Sequence, residues 1–544
     1  MTPGGHAAAA PAPAESMVGS PAAAAVPTVA AVSAGSEATV GAGARPVRRA
    51  TITNLGCKVN QAEMDALERL LRRRGVELVG GGESTDLHVI NTCTVTAIAD
   101  EKSRKAVRRA RRAAPGAVVI ATGCSVQVGR EAIAAADPGA VLIGNADKDA
   151  LLERVAALLG STAGPAPRGP RRPASPHGPL DGPLPTLAGV EEEGTAGGAA
   201  RIGRTRAFIK VQDGCSFHCT YCIIPRARGP ERSLPPETVL ADARRALADG
   251  HRELVLTGIN VGTYDGGRSE GGLRGAHRGA ALTLAGLVRR LLAETAVERI
   301  RVSSIEPQHV DDELLEAMAG SGGRCLPHFH LPLQSGDDGV LRRMGRRYGT
   351  AFYAGTVARV RAAFPGAAVH ADLIAGFPTE DEVAWARTLA FVRSLDLAGL
   401  HVFRYSARPG TPATRMAGQV PEPVRRARAA ELLELAAAAR RRFAARAIGA
   451  ERRVLFETAD AAGGWVGHAE DHVLVRAGDA DGRRLEGEIA RVAVLGPDPA
   501  DPERVVGRIV ALVPGPPPVV PFAPEPQPER EPEREPAPPP GGRP

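Results

Sequence analysis

The stretch "QDGCSFHCTYCIIPRARG" (212–229) sets Cys215, Cys219 and Cys222 in a C-x3-C-x2-C loop. A cubane iron–sulfur cluster and a tetrahedral zinc each want four ligands, and the loop offers three. On the residues alone, three readings stand: a zinc site completed elsewhere (His218 lies inside the loop), a 4Fe–4S cluster with one iron left open, or buried structural thiols. Context favours the cluster. The loop directly follows the strand-like run "RAFIKVQDGC" (206–215), the first of a βα series, and Tyr221 precedes its last cysteine.

Downstream, five more apolar runs read as strands: "ELVLTGIN" (253–260), "RIRVSSIEP" (299–307), "HFHLPLQSG" (328–336), "VHADLIAGFP" (369–378) and "GLHVFRYS" (399–406). Runs with helical periodicity, such as "PPETVLADARRALADG" (235–250), lie between them. Six βα units predict a partial (β/α) barrel over 201–440, with its site at the carboxyl ends of the strands. Gly258 and Gln334 stand at two such ends, and Asn260, Ser335, Asp372, Gly376 and Glu380 lie near others. Turn chemistry is the plain alternative for each. His328 and His330 flank Phe329 near Cys325; alternating strand histidines are more often structural than zinc ligands.

Upstream, residues 48–160 show the same grammar. "ATITNLG", "LHVINTC", "AVVIATGC" and "AVLIGNADK" read as strands, with helices "QAEMDALERLLRRRG" and "DEKSRKAVRRARRAA" between them. This α/β alternation predicts a parallel sheet. Three of its strands run into Cys57, Cys93 and Cys124, so these thiols are expected to converge at one edge. Beyond the barrel, 447–513 holds short strands with Gly and Asp turns, which suit a small β-barrel.

The remaining segments are compositional. Residues 1–47 are Ala/Pro-rich, 161–200 a Pro/Gly-rich linker, 265–280 a Gly-rich insert, and 514–544 a Pro/Glu-rich tail. The two ends are expected to be disordered, because they offer too little apolar surface to offset ordering. The chain has 544 residues and a net charge of +7, which suits a polyanionic partner weakly. Its seven cysteines, odd in number and clustered, argue against a secreted disulfide framework. No run is long and apolar enough for a membrane span, and no signal peptide is evident, so a cytoplasmic protein is expected.

The cysteine loop and its barrel resemble the radical S-adenosylmethionine (SAM) superfamily. That resemblance implies a 4Fe–4S cluster on Cys215, Cys219 and Cys222, with SAM on the open iron as radical source. It also implies a SAM pocket at strand ends, with Gly258 and Gln334 the candidate lining residues. "NLGCKVNQAEMD", "VINTCTVTAIAD" and "ATGCSVQ" resemble the N-terminal domain of methylthiotransferases. This implies an auxiliary 4Fe–4S cluster on Cys57, Cys93 and Cys124 that carries sulfur, and SAM as methyl donor too. Residues 447–513 resemble the RNA-binding TRAM domain.

Within the family, "GCKVNQ", "HFHLPLQSGDDGVLRRMGRRY" and "HVFRYSARPGTPA" resemble the MtaB type. That branch methylthiolates carbon-2 of N(6)-threonylcarbamoyladenosine, just 3′ of the anticodon in transfer RNA. The MiaB type, acting on isopentenyladenosine, favours GCQMN at the first motif. The RimO type, acting on a ribosomal aspartate, favours GCPKN. Arg226 departs from the family's usual tyrosine. The expected partners are a tRNA anticodon loop, an electron donor such as a flavodoxin or ferredoxin, and a sulfur donor the sequence does not identify. "KSRKAVRRARR" (102–112) carries seven basic side chains and is a candidate phosphate contact near the auxiliary cysteines; a solvated helix face is the plain alternative. A zinc-dependent RNA-binding protein is the non-enzymatic alternative.

Overall fold

The computed structural model describes residues 47–80, 83–158, 205–267, 282–461, 463–478 and 482–515. The Ala/Pro-rich extension, the 161–200 linker, most of the 265–280 insert and most of the Pro/Glu-rich tail lie outside the described residues.

Strands β1 (Arg49–Asn54), β2 (Glu77–Leu78), β3 (Leu87–Thr92), β4 (Val118–Gly123) and β5 (Val141–Ile143) form a parallel sheet in the order β2-β1-β3-β4-β5. Every residue of β3 is buried, as expected of a central parallel strand covered on both faces. Met64, Leu67 and Leu71 of helix α1 (Lys58–Arg73) pack on one face, and Val107 and Ala110 of α2 (Ala97–Ala113) on the other. Helix α1 has a second buried face. Asn60 ties α1 to β3 by donating to Asn91 Oδ1 at 3.0 Å and the Thr92 carbonyl at 3.2 Å, while Glu63 is buried against Lys210 of the first barrel strand, on which α1 packs.

That strand is β6 (Arg206–Lys210). It is followed by the short pair β7 (Gln212–Asp213) and β8 (Arg232–Ser233), then β9 (Glu253–Thr257), β10 (Arg299–Val302), β11 (His328–His330), β12 (Ala368–Ala375) and β13 (Gly399–Arg404). The sheets β10-β9-β6 and β11-β12-β13 are parallel throughout. An Ile300–Cys325 bridge and the Ile305 N–H donating to the His330 carbonyl at 3.0 Å join them. The result is a six-stranded partial barrel in sequence order. Along β12, Val369, Ala371 and Leu373 join the core under the outer helices, so His370 and Asp372 face the interior.

A long helix (Glu422–Ala445) leads to β14 (Glu451–Ala459), β15 (Trp465–His468), β16 (Leu474–Gly478), β17 (Ile489–Asp498) and β18 (Asp501–Leu512). These close a barrel in the order β14-β15-β16-β18-β17, with only β16 and β18 parallel, the pattern of an OB-type Greek key. Between β15 and β16 the chain reverses through His472, which takes a left-handed turn at φ 67°. This small barrel seats on the amino ends of the large one. Arg206 pairs with Glu457 at 3.3 Å, and Arg252 with Glu488 at 3.3 Å. Among the described residues, no helix is long and apolar enough to cross a membrane.

Candidate active site

Cys57, Cys93 and Cys124 follow β1, β3 and β4, three neighbouring strands, so the sheet presents them side by side at its carboxyl edge. Local chemistry fixes each. Cys57 occupies the N-cap position of α1. The Cys93 N–H donates to the buried Ser103 hydroxyl of α2 at 3.1 Å. Gly123, at φ 98°, lets β4 turn into the helix Cys124–Val128; a side chain there would collide with the Thr92 backbone. Cys57 exposes surface at this edge. Burial pushes its thiol up, Arg228 opposes that, and Cys124 adds to it. Burial likewise pushes Cys93 up to about 11.

The second triplet sits on the loop after β7. Gly214, at φ 71°, passes so close to the Pro230 carbonyl that no side chain fits. The Cys215 N–H donates to the Gly229 carbonyl at 3.0 Å, which closes the loop. Thr220 is clamped through its N–H to the Met344 carbonyl at 2.9 Å and its hydroxyl to the Arg343 carbonyl at 2.8 Å. Two sulfurs accept hydrogen bonds: Cys215 from the Phe217 N–H at 3.4 Å, and Cys219 from Arg346 at 3.5 Å. Arg346 also pairs with Glu306 and donates to the Tyr348 hydroxyl at 2.7 Å. Burial pushes Cys215 and Cys222 up to about 12. Arg226 donates to the Pro409 carbonyl at 3.1 Å and makes no hydrogen bond to a cysteine. Cys325 is packed in the barrel core.

A buried charge cluster locks the two edges together. Arg228, only 1% exposed, reaches both oxygens of Asp213 at 2.8 Å, Glu63 of α1 at 3.3 Å, and Asn60. Lys148 also pairs with Glu63, while Lys210 reaches Glu63 at 3.0 Å and Asp213 at 2.7 Å. Burial alone would raise Glu63, but Lys148, Lys210 and Arg228 hold it well below the usual carboxylate range. Burial acts on Asp213 in the same sense, and Arg228 and Lys210 hold it low. Three cations against two carboxylates leave one positive charge beside Cys57 and Cys124. Asn145 continues the link, donating to the Cys124 sulfur at 3.4 Å and the Ala227 carbonyl at 2.7 Å.

The barrel interior between the triplets is polar. His330 Nε2 lies 2.7 Å and His401 Nδ1 3.1 Å from the same Asp372 oxygen, and Ser304 holds His330 Nδ1 at 2.7 Å. Burial would raise Asp372, but the two histidines hold it well below the usual range. Burial lowers His370 to about 3. Lys58, the first residue of α1, is acted on by charges of the barrel strands. Burial, then Arg206 and Arg301, lower it to about 8 against the pull of Asp372.

Among the sequence candidates, Gly258 lies against Gln212, where a side-chain carbon would come within 2.8 Å of Gln212 Oε1. That oxygen accepts from the Asn260 N–H at 2.9 Å. Gln334 takes φ 75°, a conformation rare outside glycine, and bridges to Leu373. Ser335 and Asp337 serve the turn into the helix Asp338–Met344. Glu380 accepts from the Gly376 N–H at 2.8 Å and from Arg428 at 2.9 Å. The basic run begins beside the cysteine edge, where Ser103 bonds the Cys93 backbone, and then runs away from it. Helix α2 leaves the cysteine edge and returns along the sheet, so Arg112 sits about 22 Å along the helix from Ala97. Arg111 is tied to Asp137 at 2.9 Å and to three carbonyls. Sequence reasoning missed Arg228, Glu63, Lys148 and Arg346, since only the fold brings them to the cysteines.

The residues present fit the implied groups. Among the described residues, the His, Cys, Asp and Glu sets with all ligand atoms within 4.8 Å are His328/His370/His472 and His330/Asp372/His401, neither with a cysteine. A tetrahedral zinc with bonds of about 2.3 Å would draw its sulfurs to about 3.8 Å. In neither cysteine triplet do all three sulfurs lie within 4.8 Å of one another, a spacing compatible with a larger, polynuclear group. Among the described residues, Asn260 keeps both amide atoms buried without a partner, and Thr257 and Ser303 keep buried hydroxyls so, all at the carboxyl ends of β9 and β10. Such orphaned groups suit a polar ligand.

Residues 49–144 match the family described as uncharacterized protein family UPF0004, and residues 209–392 match the radical SAM superfamily. A threonylcarbamoyladenosine tRNA methylthiotransferase MtaB of Bacillus subtilis (strain 168) is 38% identical over 70% of this chain and 78% of its own length. A tRNA-2-methylthio-N(6)-dimethylallyladenosine synthase of Maricaulis maris (strain MCS10) is 33% identical over 77% of this chain and 88% of its own. The solved structure of the radical SAM methyltransferase TsrM from Kitasatospora setae, with cobalamin and an iron–sulfur cluster, aligns at TM-score 0.46 and 18% identity, covering 67% of this chain and 77% of that one. A parallel partial barrel with a three-cysteine loop after its first strand defines a radical SAM enzyme. The chain belongs to the methylthiotransferase family of that class, MtaB type.

Proposed function

We propose that this enzyme adds a methylthio group to carbon-2 of N(6)-threonylcarbamoyladenosine, just 3′ of the anticodon in tRNA. The carrying observation is the pairing of two cysteine edges across the buried Arg228 cluster. Cys215, Cys219 and Cys222 hold the cluster that binds SAM, and Cys57, Cys93 and Cys124 hold the auxiliary cluster. When bound, the first cluster supplies the electron that cleaves SAM, and the second an iron site for sulfur. Gly258, Gln334 and Asn260 line the SAM pocket at the barrel's carboxyl mouth. The residues of the chain bind, orient and shield. The sheet over 48–160 covers the barrel of 201–440, and the seated small barrel of 447–513 closes its amino end, so the reacting base is shielded from water. A flavodoxin or ferredoxin supplies electrons, and the reaction takes place in the cytoplasm.

The MtaB relative's identity and the GCKVNQ motif support the threonylcarbamoyl substrate over the isopentenyl one. The test uses the full chain, reconstituted anaerobically with iron and sulfide, then given SAM, a reductant and anticodon stem-loop RNA. The threonylcarbamoyl RNA gains a methylthio group and the isopentenyl RNA does not. Reaction on the isopentenyl RNA alone, or stoichiometric zinc without sulfide, overturns the proposal.

A further inference from the structure

His328 opens β11, His370 lies near the start of β12, and His472 occupies the turn between β15 and β16. One ring nitrogen from each lies within 4.8 Å of the other two. The His472 ring stacks on that of His328 with centroids 4.3 Å apart, and the His370 ring is 5.0 Å from His328 and 5.6 Å from His472. The trio therefore joins two strands of the large barrel to a turn of the small one. It sits toward the amino ends of those strands, where Ala368 packs with Ala469 and Val473 in one core, and not at the mouth that carries Gly258 and Gln334. Neither Cys325 nor His330 belongs to it.

The rings are held in place but not satisfied. His472 keeps φ 67°, which is strained for a residue other than glycine, and its N–H donates to the Ala469 carbonyl at 3.0 Å. Gly399 leaves room for the His370 ring; a side-chain carbon there would come within 2.8 Å of Cδ2 and 3.0 Å of Nε2. That edge of the ring lies against β13, so Nδ1 is on the opposite side. His328 Nδ1 and His370 Nδ1 are both buried without a hydrogen-bond partner among the described residues. The neighbouring set differs, since His330, Asp372 and His401 already bond one another and Ser304. Two dry, unpaired imidazole nitrogens are costly unless something engages them.

A proton suits the trio poorly. Burial, then neighbouring histidines and Arg301, lower His328 and His472 well below the usual range and His370 to about 3. Neutral imidazole is the form that ligates metal ions. Arg301 opposes any second cation, but Glu253 holds it at 2.9 Å, and three donor nitrogens together bind a metal far more strongly than one lone pair binds a proton there. A carboxylate also stands behind the trio: the His468 ring is 4.4 Å from that of His472, and His468 Nδ1 is 2.8 Å from Glu457.

We propose that His328, His370 and His472 form a three-nitrogen site for a divalent metal of the zinc class, which pins the small barrel to the large one. Zinc–nitrogen bonds of about 2.0–2.1 Å set tetrahedral ligands roughly 3.4 Å apart, so side-chain shifts of about 1 Å close the site. The fourth position is left to water. This metal is separate from both cysteine triplets and takes no part in the radical step.

The test uses the full chain, reconstituted anaerobically with iron and sulfide, desalted, and dialysed against zinc chloride. The wild-type protein takes up about one zinc per chain while keeping its iron and sulfide, and zinc raises its Tm. X-ray absorption at the zinc edge shows nitrogen or oxygen neighbours at about 2.0–2.1 Å with imidazole scattering, and no sulfur at about 2.3 Å. His472→Asn, which keeps a residue tolerant of the left-handed turn, retains iron and sulfide but loses zinc affinity by more than the roughly 100-fold that loss of a supporting partner costs. His370→Gln does the same, and zinc leaves the Tm of both variants unchanged. No zinc uptake by the wild-type protein, zinc bound through sulfur, or unchanged nitrogen-bound zinc in either variant overturns the proposal.

Discussion

Arg228 and Glu63 meet at 3.3 Å across 165 residues of sequence. One follows the second cysteine triplet by six positions and the other follows Cys57 by six. Their contact joins the site's two halves, and it leaves an excess positive charge next to Cys57 and Cys124. Three thiolates on a cluster carry net negative charge, which that excess offsets.

Removing Arg228 should harm the first triplet more than the second. Arg228→Gln leaves Asp213 and Glu63 short of a partner in a dry site, at a cost of about 3–5 kcal/mol. Iron retained after desalting falls toward the content of one cluster, and Arg228→Lys recovers part of it. Full iron retention in Arg228→Gln would show that the charge does not support the auxiliary site.

The two triplets should load independently. Cys57→Ala retains about four irons and the ability to cleave SAM reductively, but not methylthiolation. Cys215→Ala also retains about four irons and loses SAM cleavage. Iron and sulfide assays with 5′-deoxyadenosine detection separate them.

Glu253, fully buried between Arg299 at 2.8 Å and Arg301 at 2.9 Å, supports the base of the barrel. Burial would raise its pKa, but the two arginines lower it from 4.5 to about 2. Its stabilisation is therefore present above pH 4.5 and is lost as pH falls toward 2. Glu253→Gln costs about 3–5 kcal/mol at neutral pH, measured by urea unfolding, and weakens the acid limb of the stability curve.

Glu380 has the opposite sign. Burial raises it from 4.5 to about 7, despite the Gly376 N–H and Arg428. Its folded form favours the proton, so this contribution is complete below pH 4.5 and is lost as pH rises through 7. Apoprotein stability relative to Glu380→Gln should fall by about 3 kcal/mol over that window. Equal pH slopes in the two proteins would contradict it.

The βα grammar was legible because apolar periodicity marks each strand and helix, and the six cysteines because they end strands or cluster in one loop. Within 447–513 the turn between β15 and β16 was hard to read, since the left-handed position at His472 carries no glycine. The basic run 102–112 showed its sign but not its direction, because a crossover helix carries its later residues away from the site. Arg228, Glu63 and Lys148 look like ordinary surface charges in sequence, and only the docking of α1 on β6 buries them.

The most direct test is mass spectrometry of tRNA nucleosides from cells with and without this gene. Deletion should abolish the methylthio form of the threonylcarbamoyl nucleoside, leave the methylthio isopentenyl nucleoside unchanged, and be reversed by the wild-type gene but not by Cys57→Ala. An unchanged methylthio threonylcarbamoyl nucleoside, or loss confined to the isopentenyl one, would contradict the account.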